Sequence, residues 1–437
     1  MNADTLKALQ TAWPYEIPKN WRWTTVGAIN QYKGMIVRPD RTPGQRFELY
    51  SVPSSASGAP EIVKGAGIGS VKKTVERDDI LLCKINPRIN RVWRVLQKTQ
   101  YPLLASGEWM VIRNRRLCAA YLMWYFRSPQ FRQIMCAHLS GVGGSLLRAQ
   151  PKWIRTYPVP LPPAAEQQRI AARIEQLFSR LDAAEQKIQE SIDGLEIRRA
   201  SLFHSALTGD LSAQWRRAHG GGDWGCVHLG ALLLPTERRK PDGETFRYID
   251  IDAIDHRWQT VRAPKLLLTR KAPSRAAQAV AAGDTLFSLV RPYLKNIALI
   301  DTELSDCTAS TGFFVCRPSE RILPRFLYYL LCAPETIDYL NQFMKGDNSP
   351  SIQKEDLLGL PVRLPPAEEQ AELIRLLDLA FARERQVQAC AEAALEQIRQ
   401  LRQIILFRAF RGELGTNDPG EDGGDRLLES ILADPAE

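Results

Sequence analysis

Apolar residues recur at alternating four- and three-residue steps over two long stretches of the chain. In the first, Ile170, Ile174, Leu177, Leu181, Ala184 and Ile188 mark one face. After a single four-residue irregularity the face continues at Ile192, Leu195, Leu202 and Ala206. The second stretch repeats the pattern at Leu373, Leu377, Ala380, Val387, Ala391, Ala394, Ile398, Leu401 and Ile405. This spacing predicts two long helices, each with a coiled-coil seam. The first opens at Leu161-Pro162-Pro163-Ala164-Ala165-Glu166-Gln167, the second at Leu364-Pro365-Pro366-Ala367-Glu368-Glu369-Gln370. Paired prolines fit a first helical turn, where the missing N–H groups cost little. The stretches close at Thr208-Gly209-Asp210-Leu211 and Arg411-Gly412-Glu413-Leu414, so both ends are offset by 203 residues. At 1.5 Å per residue each helix would run roughly 65 Å. Gly194 lies inside the first and should weaken it by about 1 kcal/mol relative to alanine. Two matched seams, each needing a partner, are most simply satisfied by antiparallel packing on each other; the alternative is that each pairs with another chain.

The intervening segments are repeated too. Phe47 to Val52 alternates as a strand and matches Phe246 to Ile251. The apolar strand from Asp78 to Pro87 matches Gly283 to Pro292, Ala105 to Val111 matches Ala309 to Val315, and Tyr121 to Pro129 matches Phe326 to Pro334. These parts have diverged much further than the helix openings. A repeat of about 200 residues is a duplicated domain, not a solenoid. The predicted fold class is α+β: two globular α/β domains separated by two long antiparallel coiled-coil helices. The expected segments are a head at 1–160, a helix at 161–212, a second head at 213–363 beginning with a linker to 223, a second helix at 364–414, and a disordered acidic tail at 415–437, in which 426–433 can form a short helix.

Composition narrows the class. With 437 residues, 44% apolar and 24% charged, the chain suits two or more folded domains. A net charge of +9 is compatible with a polyanionic partner. The eight cysteines form no Cys-x-x-Cys pair and sit mostly in apolar runs, as expected for reduced thiols in a cytoplasmic protein. No apolar run reaches the length of a membrane span. The five histidines are scattered, and no phosphate loop, dinucleotide-binding fingerprint or nucleophile elbow occurs. Neither catalytic nor metal-ligating residues are assigned. Asn86-Pro87-Arg88 resembles an adenine-methyltransferase loop only superficially, lacking its second proline and its aromatic residue.

A polar, basic loop follows the same strand in both heads. Lys84, Asn86, Arg88, Asn90, Arg91 and Arg94 lie in the first; Arg291, Tyr293, Lys295 and Asn296 lie in the second. Arginine, lysine and asparagine are the types that bond base edges and phosphates. Alone, either loop reads as a solvated turn; recurrence at one place in both heads favours DNA contact. Two small-residue loops, containing Ser145 and Ser349, are also equivalent and join the candidates.

The doubled Leu-Pro-Pro-Ala-x-Glu-Gln before a long helix, with Thr208 to Leu211, Arg411 to Leu414, Tyr248 to Ile251 and Leu49 to Pro53, resembles the specificity subunit of type I restriction–modification systems. The resemblance covers the chain to about residue 415. It implies a non-catalytic subunit whose two heads each read one half of a split, asymmetric site in double-stranded DNA. The helices would set the spacer and dock two methyltransferase subunits, with two helicase–nuclease restriction subunits joining the complex. S-adenosylmethionine and ATP with Mg would belong to those partners. Helix pairing and docking are expected of Leu161, Glu166, Gln167, Ile170, Ile174, Leu177, Leu181, Leu364, Glu369, Gln370, Leu373, Leu377, Ile398 and Leu401. Base-contacting residues do not transfer, because the heads are the variable part of that family. A coiled-coil protein whose heads bind other proteins and an enzyme with an unrecognised site are the competing classes.

Overall fold

A computed structural model describes residues 14–137, 139–140, 147–421 and 423–433. It divides into two compact units, Met1–Lys187 with Ala393–Glu437, and Ile188–Glu392. The two long helices, Ala164–Thr208 and Ala367–Ala409, each contribute to both units. Gly209 (φ +87°) and Gly412 (φ +74°) lie just beyond them, in a left-handed conformation that suits glycine and stops a helix.

In the first unit, a strand at Arg22–Thr25 pairs antiparallel with Pro158–Leu161, closing the head at the point where the long helix starts. Between them lie a five-stranded sheet and a three-stranded one, the latter built on Ile80–Cys83 flanked by Val92–Arg94 and Trp109–Ile112. Alternation along Ile80–Cys83 explains why it is apolar throughout. Leu81 and Cys83 face an inter-sheet core with Tyr50, Trp93 and Trp109, while Ile80 and Leu82 face a second core. That second core holds the helical pair Ala119–Arg127 and Pro129–Ala137, and takes Ile170, Ile174, Leu406, Ala409 and Phe410 from the long helices. Head and helices are thus one hydrophobic body.

The second unit repeats the scheme. Gly225–His228 pairs with Pro361–Leu364. In Thr285–Ser288, Leu286 faces the inter-sheet core and Phe287 faces the core shared with Phe203, Leu373, Leu377 and Phe381. Each head contains one parallel strand pair, Glu48–Tyr50 with Leu103–Ala105 and Tyr248–Ile249 with Thr308–Ala309. Each also buries an aspartate against an arginine: Asp79 with Arg113 and Asp284 with Arg317, both at 2.7 Å.

Within each unit the long helices run antiparallel. Arg402 reaches Asp182 at 2.6 Å and Glu185 at 2.5 Å in the first; Arg199 reaches Glu384 at 3.8 Å, and Phe203 packs on Phe381, in the second. The two arginines are repeat-equivalent. Ile170, Ile174, Leu373, Leu377 and Ile398 are buried as expected, and Leu177 and Leu181 half-buried. Val387 and Leu401 depart from the predicted seam and are 46% and 45% exposed. Their neighbours Gln388 and Arg402 face inward instead, because Arg402 finds two carboxylates there and Gln388 bonds Glu392 at 2.7 Å.

The segment read as a linker contains a helix, Ala213–His219, and the tail contains the expected short helix, at Gly424–Leu432. That helix packs by its amphipathic face: Ile431 is buried, Leu427 and Leu428 pack on the first core and Asp425 pairs with Arg22, while Glu421 takes both Arg169 amino groups at 2.7 Å. Packing rather than pattern also sets the cost of substitution. Ile174→Ala should destabilise the protein by about 2–5 kcal/mol and Leu401→Ala by less than about 0.5 kcal/mol. Gly194→Ala, where an added Cβ meets nothing within 4 Å, should stabilise it by about 1 kcal/mol. Denaturant titration of the three variants measures the order.

Candidate functional site

The helix-opening motif acts inside each unit. Glu166 and Gln167 are fully buried, as are Glu369 and Gln370. The Glu166 carboxylate accepts the Trp21 indole N–H at 2.8 Å, and Glu369 accepts that of Trp224 at 2.8 Å. Gln167 accepts the Cys118 N–H at 3.0 Å and donates to the Pro162 carbonyl; Gln370 does the same with Leu323 at 2.8 Å and Pro365. Leu161 is buried in the closing strand pair and Leu364 half-buried in its equivalent. These six residues therefore fasten each head to its helix, and all but Leu364 are buried. Trp21 and Trp224 were overlooked in the sequence, although they recur at the same offset of 203 as the motif.

The two anchors differ electrostatically. Burial pushes the Glu369 carboxyl up, but bonds from Arg216 at 2.8 Å, Ser212 at 2.6 Å and Trp224 outweigh it, holding the group below the usual carboxylate range. Arg216 also stacks over the Trp224 ring, 4.8 Å from its centre. Glu166 is raised by burial, which its bond from Trp21 and the charge of Arg169 do not offset, and its Oε1 has no hydrogen-bond partner.

The reading loops sit on a second repeated frame. After the apolar strand, Asn86 (φ +46°) and Asn90 (φ +53°) flank a short 3₁₀ turn, Pro87–Ile89. In the other head Arg291 (φ +49°) and Lys295 (φ +52°) flank Pro292–Leu294. Four non-glycine residues in the left-handed region cost of order 1–3 kcal/mol each. The turns are held against that cost by equivalent bonds: Asn90 N–H to Pro87 O at 3.0 Å and Lys295 N–H to Pro292 O at 2.9 Å, with both prolines buried. Each loop is also tied to a residue just after the small-residue segment. Asn86 N–H bonds Leu147 O at 2.8 Å; Arg291 N–H bonds Pro350 O at 2.7 Å.

Side chains divide by role on this frame. Lys84 donates to Gly107 O at 2.9 Å, Asn90 to Arg127 O at 3.0 Å, and Arg94 pairs with Asp78 at 2.6 Å. Arg291 donates to Asn348 O at 2.6 Å, while Asn296 is buried. These five serve the loop architecture. Arg88, Tyr293 and Ser349 are exposed; Asn86, Arg91 and Lys295 are half-buried. Ser145 lies outside the described residues. Ile89 and Leu294, 56% and 42% exposed, occupy the same turn position and were passed over because only polar types were sought. A groove lined by Ser55, Ala56, Ile89, Asn90, Arg91 and Arg127 borders the first turn, whereas in the second unit Lys295 sits at the edge of a groove lined largely by the long helices, with Leu195, Arg199, Phe203 and Glu384. Among the described residues, no group of three or more His, Cys, Asp or Glu side chains is placed to hold a metal ion, and no helix is long and apolar enough to cross a membrane.

No family model matches the chain. Individual proteins do. The StySPI specificity subunit of a type I restriction enzyme from Salmonella potsdam is 23% identical over 357 residues, 74% of each chain. The EcoKI specificity subunit of Escherichia coli K12 is 23% identical over 346 residues, 75% of this chain and 74% of its own. Over about three quarters of its length the chain is thus similar to specificity subunits of type I restriction–modification systems. Solved structures share the fold. The HsdS subunit of Thermoanaerobacter tengcongensis aligns at TM-score 0.59, with 22% identity, over 92% of this chain and 99% of its own. A chain from a structure describing complex assembly and conformational transition of a type I system aligns at TM-score 0.74, with 21% identity, over 92% of this chain and all of its own. Specificity subunits are the non-catalytic, DNA-recognising members of these systems.

The unequal anchors give opposite responses to mutation and pH. Glu369→Gln leaves Arg216 without its carboxylate and should cost about 2 kcal/mol at pH 7. Because the Glu369 pKa is depressed, its contribution is full above the unfolded value and is lost as pH falls through the lower folded value. Glu166 has the opposite sign: its raised pKa penalises the ionised folded state, and the penalty fades as pH falls. Glu166→Gln, whose amide oxygen still accepts the Trp21 N–H, should therefore be neutral or stabilising at pH 7. Unfolding midpoints of both variants between pH 4 and 8 check the contrast.

Proposed function

We propose that the chain reads a split, asymmetric sequence in double-stranded DNA, one part with each head. The long helices fix the gap between the parts and dock two methyltransferase subunits, to which two helicase–nuclease restriction subunits are added. S-adenosylmethionine, ATP and Mg are bound by those partners, and this chain supplies only the address. The observation that carries the reading is the pair of reading turns: one backbone frame, kept twice at a conformational cost, presenting different side chains. A frame conserved between heads while its exposed residues change is what two readers of different sequences require. Basic and amide groups around each turn suit phosphate and base-edge contacts. Similarity to specificity subunits supports DNA and modification partners, while the matched helices support a fixed spacer.

Methylation mapped in cells carrying this gene with its partner genes should show a bipartite motif; one unsplit motif would refute the two-head reading. Removing four residues at repeat-equivalent positions of both long helices shortens each by about 6 Å, or about two base pairs of DNA. The methylated motif should then keep both half-sites and lose spacer length. Altered half-site bases would show that the helices do more than set distance.

A further inference from the structure

The reading turns hold a regularity that electrostatics does not explain. Ile89 in the first head and Leu294 in the second occupy the last position of equivalent 3₁₀ turns and are 56% and 42% exposed. Each donates its N–H to the left-handed residue that opens the turn, Ile89 to Asn86 O and Leu294 to Arg291 O, both at 2.9 Å. The residue before each differs in chemistry, Arg88 against Tyr293, as does each flanking pair, Asn86 and Asn90 against Arg291 and Lys295. Besides the buried proline, only this last, exposed position keeps its chemistry while its surroundings change. Single exposed aliphatic residues are ordinary on protein surfaces. Two at one position of a strained, doubly tied turn, in heads that have otherwise diverged, point to a shared task.

We propose that Ile89 and Leu294 are the apolar reading residues of the two heads, each making direct contact with a base of its own half-site. This inference rests on the proposed DNA reading and deepens it. The turn is held by its own chain, since both prolines are buried and the residue opening each turn is hydrogen-bonded to Leu147 or Pro350. A side chain held outward on such a frame loses little conformational freedom on contact. Aliphatic groups contribute to base recognition in two ways: they pack on the thymine 5-methyl group, or they fill the space beside an unstacked base. Both use the same surface, and neither uses phosphate. Arg88 and Tyr293, one residue earlier and also exposed, supply the adjacent hydrogen-bonding group.

The test uses the full chain assembled with its methyltransferase partner and a random-sequence duplex library. Ile89→Ser should lower discrimination at one base pair in one half-site by about 5- to 150-fold and leave the other half unchanged. Leu294→Ser should do the same in the other half. Ile89→Leu and Leu294→Ile, which keep the aliphatic surface, should retain the wild-type preference. Thymine-to-uracil exchange at the affected position should reproduce the loss if the 5-methyl group is the contact. A 2-aminopurine signal present with wild type and lost in the serine variants would identify an unstacked base; either result supports the proposal. Serine variants that fold normally and select the wild-type motif would overturn it, as would a uniform loss on all duplexes. A wild-type complex that selects no split site would instead overturn the underlying reading of the two heads.

Discussion

The buried indole–carboxylate bond at the start of each long helix is the constraint on which the rest of each unit depends. An indole N–H inside a core must find an acceptor, and a carboxylate inside a core must find donors. Trp21 with Glu166, and Trp224 with Glu369, meet both requirements at the point where a head's first and last strands pair beside the helix. Breaking either bond strands a polar group in apolar surroundings. Head and helix are therefore held in one geometry, and the glutamine that follows each glutamate fixes the same junction from a second side.

The two copies of the joint are not equally satisfied. In the second unit, Ser212, the N-cap of the helix Ala213–His219 that follows the first long helix, and Arg216 within it complete the hydrogen bonding of Glu369. In the first unit, Arg169 turns to Glu421 of the C-terminal segment, and Glu166 retains a buried oxygen without a partner. Duplication preserved the contact that defines the module and let the supporting residues drift. The same is true of the reading turns, where dihedral angles and hydrogen bonds recur while the exposed residues differ.

Much of the architecture was legible in the residues themselves. Matched apolar spacing disclosed the long helices, and the Leu-Pro-Pro openings disclosed their starts, because both are local consequences of helix geometry. Ile170, Ile174, Leu373 and Leu377 are buried as their spacing requires. Where the pattern failed, tertiary partners decided: Arg402 takes an inward position from Leu401 because carboxylates wait there, and the acidic tail folds because Ile431, Leu427 and Leu428 find a core. Glu166 and Glu369 were legible as a repeat but not as anchors, since nothing local shows that a tryptophan 145 residues away supplies the donor. The candidate site was the least legible part. Residue type alone does not tell that Lys84, Arg94 and Arg291 bond within their own loops while Ile89 and Leu294 stand exposed, because accessibility depends on backbone dihedrals that the sequence does not display.

The most direct test of independent, interchangeable recognition modules is to replace residues 224–363 with a second copy of residues 21–160, joining the copies at the equivalent tryptophans and strand ends. Both junctions keep the anchor and the strand pairing that define a module. Methylation by the resulting complex should fall on a symmetric inverted repeat of one half-site, with the original spacer. An unchanged asymmetric site, or a site containing neither original half, would contradict the modular account.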